Sequence, residues 1–302
     1  MVNNIEKIGF IGLGVLGSAM AGNLIKSGFK LIGYDIDADK LAALVSGGGE
    51  AASSPKDVAD KADAVILCLP TAEVLAEVTA GADGLIHGGA EGQIVIESST
   101  FAIADKEKAR DALASVGKTL LDCPVSGNRI LALKKQLTSF GSGDHEAFET
   151  IKHVIDGYAH RSFYIGPFGD GMKMKFCGNI LNLVHNSAAA EVMVLGMKAG
   201  LDPKIIHQVI SGSGSSSSMF EVRGALMVEN DYDKEGMNFS IPLKDSRLIS
   251  DHAARHLCPI PIYQAALQPY YAAVAQGHHD EDPSSVCAAL ELAANCVRKK
   301  PD

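Results

Sequence analysis

The sequence predicts an α/β fold in which an N-terminal parallel-sheet domain, residues 1–167, is joined by a long connecting helix to an all-helical C-terminal domain within residues 168–302. Three observations predict it. Short apolar runs alternate with segments of helical spacing as far as about residue 165, the pattern of parallel strands covered on both faces. One helical pattern then runs from about residue 166 to 198, and every later apolar segment also has helical spacing. The chain opens with strand, glycine turn, helix, strand over residues 7–35.

In that opening stretch Gly12, Gly14 and Gly17 fit G-x-G-x-x-G, with Leu13, Val15 and Leu16 between them. The first glycine permits the tight turn, the second lets a pyrophosphate approach the backbone, and the third packs helix on strand. The N–H groups opening the helix, residues 14–27, offer the positive end of its dipole to phosphate. Asp35 closes the second strand at about the distance, ~20 residues, where an acid accepts from a ribose 2′-hydroxyl. Its charge would repel a 2′-phosphate, so NAD is favoured over NADP. The alternative is a purely structural strand-turn-helix corner; Asp37 and Asp39 follow Asp35, and one of them can simply cap the next helix.

Residues 39–45 then read as helix and 50–52 as a brief strand; Ser54-Pro55 looks like a cap with proline in the first turn. Continuous apolar runs at 64–69, 94–97 and 119–122 are the next strands, ending at Leu69-Pro70-Thr71, Ser99-Thr100 and Ser126-Gly127-Asn128. Ligands of open parallel sheets sit outside such carboxyl ends. Ordinary loop composition explains the same residues. Residues 137–140 and 162–165 read as further strands, with a helix at 144–155.

On the long helix Lys175, Asn179 and Asn182 stand at i, i+4 and i+7, one polar stripe among apolar neighbours. That stripe suggests a buried cleft, although a helical lysine can equally face solvent. Helices follow at 203–210, 217–228, 243–256, 262–276 and 284–297, with residues 212–218 an ordered turn rather than a tether.

Composition narrows the function. The net charge of −9 disfavours nucleic acid as partner, and 47% apolar residues disfavour disorder. Six scattered cysteines without C-x-x-C spacing read as reduced, hence cytoplasmic. Neither a signal peptide nor a membrane span is expected, and His252, His256, His278 and His279 lack the pattern of a metal site.

Taken together, residues 8–17, Asp122-Cys-Pro-Val-Ser126-Gly127, Gly169-Asp-Gly171 followed by Lys175 and Asn179, and Lys244-Asp245 resemble the β-hydroxyacid dehydrogenase family over nearly the whole chain. The resemblance implies a Rossmann-type first domain, an all-helical second domain that serves substrate and oligomerisation, and a homodimer or homotetramer. It implies hydride transfer between NAD and a small β-hydroxy acid, 3-hydroxyisobutyrate-like or a sugar acid, with Lys175 as the catalytic general acid/base. Ser126, Gly127, Asn128 and Asn179 would hold substrate; Thr100 and Lys244 would lie near the nicotinamide, and Leu69 and Pro70 would line the cofactor. Family members commonly have a second glycine where this chain has Asn128-Arg129, followed by Lys134-Lys135. A larger or more anionic acid is therefore expected, with Arg129 as an extra anion contact or else turned to solvent. The rivals are a semialdehyde or glyoxylate reductase of the same family, an imine reductase, which carries another residue in place of the lysine, and a non-catalytic NAD-binding module.

Overall fold

The computed structural model describes residues 5–233 and 237–298. They form two compact units divided between Lys175 and Phe176.

The first unit carries β1 (Lys7–Ile11), β2 (Lys30–Tyr34), β3 (Glu50–Ala51), β4 (Ala64–Leu67), β5 (Ile94–Glu97), β6 (Thr119–Asp122), β7 (Val125–Ser126), β8 (Leu137–Ser142) and β9 (Ala159–Gly166). They make one sheet in the order β3-β2-β1-β4-β5-β6-β8-β7, with β9 on β8. Strands from β3 to β6 are parallel. The sheet turns mixed where β8 runs antiparallel to β6 and β7, and β9 then pairs parallel with β8. The chain leaves β1 toward β2 and β3 and returns to β4 on the other side, so β1 and β4 flank the point where strand order reverses. In open parallel sheets ligands bind outside the carboxyl ends at such a point.

Alternate residues of the apolar runs feed the two faces. Ile8, Phe10, Ala64, Ile66 and Ile96 enter one cluster, which includes Met20 and Leu24 of helix Val15–Lys26 and Phe148, Ile151 and Ile155 of helix His145–Tyr158. Ile11, Val65, Leu67 and Val95 enter the other, with Val58, Leu75 and Leu113. Every residue of β4 and β5 is buried, which is why those strands read as continuous apolar runs. Ser54 caps helix Pro55–Lys61 as its spacing predicts, accepting from the Asp57 N–H at 3.1 Å. Helix Ile103–Ala114 carries no clear stripe in the sequence because it buries a lysine, Lys106, beside Ala109 and Leu113.

The second unit contains helices and, among its described residues, no strand. The long helix Asp170–Lys198, 29 residues, begins in the first unit and continues into the second. The sequence places the change of unit at 167/168; the division falls at Lys175 because the helix's first turn is seated on strand ends of the first unit. A Cβ on Gly171 would overlap the Phe140 carbonyl and come within 2.8 Å of the Asp122 carbonyl. In length and mean hydropathy (1.3) this helix is apolar enough to cross a membrane. Two of its buried polar side chains are bonded to other helices of the same unit: Asn186 Nδ2 donates to the Tyr270 hydroxyl at 2.7 Å and the Pro283 carbonyl at 3.0 Å, and the Ser187 hydroxyl to the Ala266 carbonyl at 2.7 Å.

Helices Pro203–Ile210, Ser218–Glu229, Ser240–Arg255 and Val286–Ala293 follow the predicted segments. The single helix expected at 262–276 is two, Pro261–Ala266 and Gln268–Ala275, because Pro269 cannot continue a helix and instead starts one. Ser217 caps its helix by accepting from the Phe220 N–H at 3.1 Å, so residues 212–218 are the ordered turn that was expected.

Candidate active site

The glycine motif sits at the carboxyl end of β1, and its three glycines differ in their surroundings. Gly12 has φ +92°, and a Cβ there would overlap the Cys68 carbonyl that follows β4. A Cβ on Gly17 would overlap the Gly12 carbonyl. Around Gly14, the N-cap of helix Val15–Lys26, a Cβ would meet nothing within 4 Å. Two glycines are thus consumed by packing and one leaves clearance, as a pyrophosphate at the helix N-terminus needs. Gly17→Ala is expected to weaken NAD binding at least about tenfold, measured by calorimetry, while circular dichroism keeps the native helix signal; native affinity would show that the glycine is not needed for the cradle.

Asp35 follows β2 and folds back onto this loop. Its Oδ2 accepts the Leu13 N–H at 2.7 Å and its Oδ1 the Asp37 N–H at 2.9 Å, with Lys40 Nζ 3.8 Å from Oδ1. The capping alternative falls to Asp37, which accepts from the Asp39 N–H at 3.0 Å and opens helix Ala38–Ser46. Asp35 is therefore not the cap of that helix; its carboxylate holds the glycine loop through the Leu13 N–H.

The loops after β4 and β5 are tied together. The Ser99 hydroxyl accepts the Leu69 N–H at 2.8 Å, and Ser98 donates to the Leu67 carbonyl at 2.5 Å. Leu69 is buried, Pro70 is exposed, and Thr100 is half-buried at the same strand end. After β6 the chain turns through β7 to Gly127, whose φ is +134° and where a Cβ would press on Leu137 at 2.5 Å. Ser126, Gly127 and Asn128 are half-buried there, and Asn128 Oδ1 caps helix Arg129–Leu133 through the Leu131 N–H at 3.0 Å. Arg129 is half-buried on the first turn of that helix; Lys134 and Lys135 line an open basic depression with Lys152, His160 and Arg161.

Lys175 is half-buried on the long helix, a single turn past Met172 and a single turn before Asn179. In the second unit the Asn179 amide donates to Asp245 Oδ2 at 2.8 Å, and Asn182 Nδ2 lies 3.4 Å from Asn179 Oδ1. The two amides are thus linked to one another and to Asp245. Lys244, on helix Ser240–Arg255, has Nζ 3.2 Å from Asp245 Oδ1; Asp245 is 7% exposed and lies between the two residues. Among the described residues no cluster of metal-ligating side chains occurs.

Sequence reasoning passes over the groups beneath these loops. Glu97 and Asp122 are buried register partners closing β5 and β6, and Lys106 stands between them. The available signal was a carboxylate ending two successive apolar strands, which demands a buried cation nearby.

Comparison with known proteins covers both units. Residues 7–166 match the NAD binding domain of 6-phosphogluconate dehydrogenase, and residues 169–290 match the NAD-binding region of NADP-dependent 3-hydroxyisobutyrate dehydrogenase. An L-threonate dehydrogenase from Cupriavidus necator is 33% identical over 93% of this chain and 95% of its own. An NAD-dependent L-serine dehydrogenase from Pseudomonas aeruginosa is 32% identical over 93% and 97%. The crystal structure of 3-hydroxyisobutyrate dehydrogenase from Salmonella typhimurium superposes with a TM-score of 0.84 at 31% identity, covering 93% of this chain and 99% of that one.

Proposed function

Because the chain belongs to the β-hydroxyacid dehydrogenase family, and is accordingly an NAD-dependent oxidoreductase of hydroxy acids, we propose that it turns over a small β-hydroxy acid, 3-hydroxyisobutyrate-like or a sugar acid, with Lys175 as general acid/base. The observation that carries this reading is the placement of Lys175: half-buried, on a rigid helix, between a first turn seated on strand ends and the amide row of Asn179 and Asn182.

Oxidising an alcohol removes a hydride from carbon and a proton from oxygen, so a base must stand within hydrogen-bond reach of the hydroxyl. NAD, when bound, supplies the hydride acceptor. Gly12, Gly14 and Gly17, with Leu13, Val15 and Leu16, would cradle its pyrophosphate, and Asp35 would take the ribose hydroxyls. Leu69, Pro70 and Thr100 would line its nicotinamide side. Lys175 Nζ takes the hydroxyl proton. The Ser126 hydroxyl, the Gly127 N–H and the Asn128 amide hold the substrate carboxylate, and Asn179, fixed by Asp245, orients the reacting group.

Arg129 is the reason to favour an acid larger or more anionic than 3-hydroxyisobutyrate, and the threonate-oxidising relative supports that choice. Hydroxy acids from 3-hydroxyisobutyrate to six-carbon sugar acids, assayed with NAD and with NADP, test it. The longer polyhydroxy acids should give the highest kcat/KM, and NAD should exceed NADP. Turnover of 3-hydroxyisobutyrate well above the longer acids would overturn the substrate part, and a preference for NADP the role of Asp35.

A homo-oligomer belongs to the same proposal. Leu195, near the end of the long helix, Leu201, and Ile205 and Val209 of helix Pro203–Ile210 expose 72, 57, 52 and 69% of their surface, apolar area that water does not favour. Light scattering reads the state directly, and a monomer would refute it. A cytoplasmic location is proposed on the six cysteines, all free thiols.

A further inference from the structure

Beneath the loops of the first unit lies an ionic clamp. Glu97 and Asp122 stand side by side on adjacent parallel strands, both with 0% exposure, and Lys106 reaches between them from helix Ile103–Ala114. Its Nζ is 2.5 Å from Glu97 Oε2 and 2.7 Å from Asp122 Oδ1. Burial pushes the Glu97 carboxyl up, while the two carboxylates hold Lys106 in its charged form.

Each carboxylate spends its second oxygen on the site. Glu97 Oε1 accepts the Ser99 N–H at 2.8 Å, and the Ser99 hydroxyl in turn accepts the Leu69 N–H. Asp122 Oδ2 accepts the Met172 N–H at 3.0 Å, in the first turn of the long helix. The Ser142 hydroxyl donates to the Asp122 carbonyl at 3.1 Å and accepts the Gly171 N–H at 2.9 Å. One buried cation therefore joins the loops after β4 and β5 to the turn from which Lys175 projects. At Gly171 the helix rests on the strand ends with no room for a side chain, so a shift of the clamp is passed to the helix.

We propose that Lys106, Glu97 and Asp122 are positioning residues for the hydride-transfer reaction, setting the first turn of the Lys175 helix in register with the loops on which cofactor rests. The proposal rests on Lys175 being the base. An ionic network of this kind is costly to bury, and well-packed apolar residues would hold the fold as well or better. What they would not supply is a directional acceptor for Ser99 on one side and Met172 on the other.

Asp122→Asn in the full chain separates positioning from folding. It keeps the volume and leaves Glu97 and Lys106 as a balanced pair, so the protein should fold. Its amide can accept from Lys106 or from the Met172 N–H, and it presents an NH2 group to the other. A displacement of about 1 Å at a reacting group costs on the order of 100-fold in rate, so kcat with NAD and the best hydroxy acid should fall about 10- to 100-fold. KM and NAD affinity should stay within about threefold, the split that distinguishes misplacement from lost binding. Hydrogen exchange at the Met172 amide should quicken. A kcat within about threefold of wild type would overturn the proposal. Should Asp122→Asn fail to fold, Ser142→Ala, which leaves Asp122, Glu97 and Lys106 in place and releases the Gly171 N–H together with the hydroxyl's contacts to Asp122, is read against the same criterion. Lys175→Ala is measured beside them: its full activity would sink the lysine reading and the clamp together, whereas its inactivity with a fully active Asp122→Asn would sink the clamp alone.

Discussion

Lys175→Ala is expected to lower kcat about 100- to 10,000-fold while NAD affinity stays within about threefold, because proton transfer by a positioned side chain contributes on that scale. The cradle proposed for the cofactor, Gly12, Gly14, Gly17 and Asp35, does not include Lys175, so calorimetry with NAD should register little change. Steady-state rates at saturating hydroxy acid read the loss. A lysine that merely attracted the substrate carboxylate would behave differently: its removal would raise KM and leave kcat largely intact. Lys175→Arg separates the two roles further. The guanidinium keeps the positive charge and cannot give up its proton in the working range, so it could hold an anion but could not take a proton from an alcohol. Both variants should therefore be inactive in turnover, and substantial activity of Lys175→Arg would assign the lysine to binding instead of proton transfer.

The parts of this protein that could be read in advance are those where one residue type answers to one local requirement. Gly12 and Gly17 are jammed against backbone carbonyls, so only glycine fits, and the motif is visible. The fully buried strand β4 appears as an unbroken apolar run for the same kind of reason. The row Lys175, Asn179, Asn182 is legible because helical period alone aligns it. Asn179's anchor, Asp245, needs a fold: it lies on another helix, and no local pattern connects the two. The Glu97–Lys106–Asp122 clamp is further still from view, since its members come from two strands and a helix, and a lysine in a charged helical segment looks like surface until the strands are paired. Helix 262–276 was misjudged for a local reason, Pro269, whose ring starts a new helix within what reads as a continuous one.

Lys106→Met is expected to be the most destabilising single change in the first unit. Methionine fills much the same space but leaves two carboxyl groups adjacent and buried without their cation. Removing one partner from a buried ionic network costs about 3–5 kcal/mol, set against a total stability of roughly 5–15 kcal/mol. At about 2–4 °C per kcal/mol for a domain of this size, thermal unfolding should fall by about 10 °C. The loss should also depend on pH, in a direction that follows from Glu97. Burial already pushes that carboxyl above its ordinary range with Lys106 in place, and without the ammonium only its hydrogen bonds with Ser99 oppose the push. A carboxyl whose folded pKa lies above its unfolded value, about 4.3 for glutamate, contributes its stability at acid pH and loses it as pH rises through the folded pKa. The gap between variant and wild type should therefore narrow at pH 5 and widen at pH 8. A gap independent of pH would mean that the cost is one of packing around the new side chain, and that the two carboxylates had found water or another cation in place of Lys106.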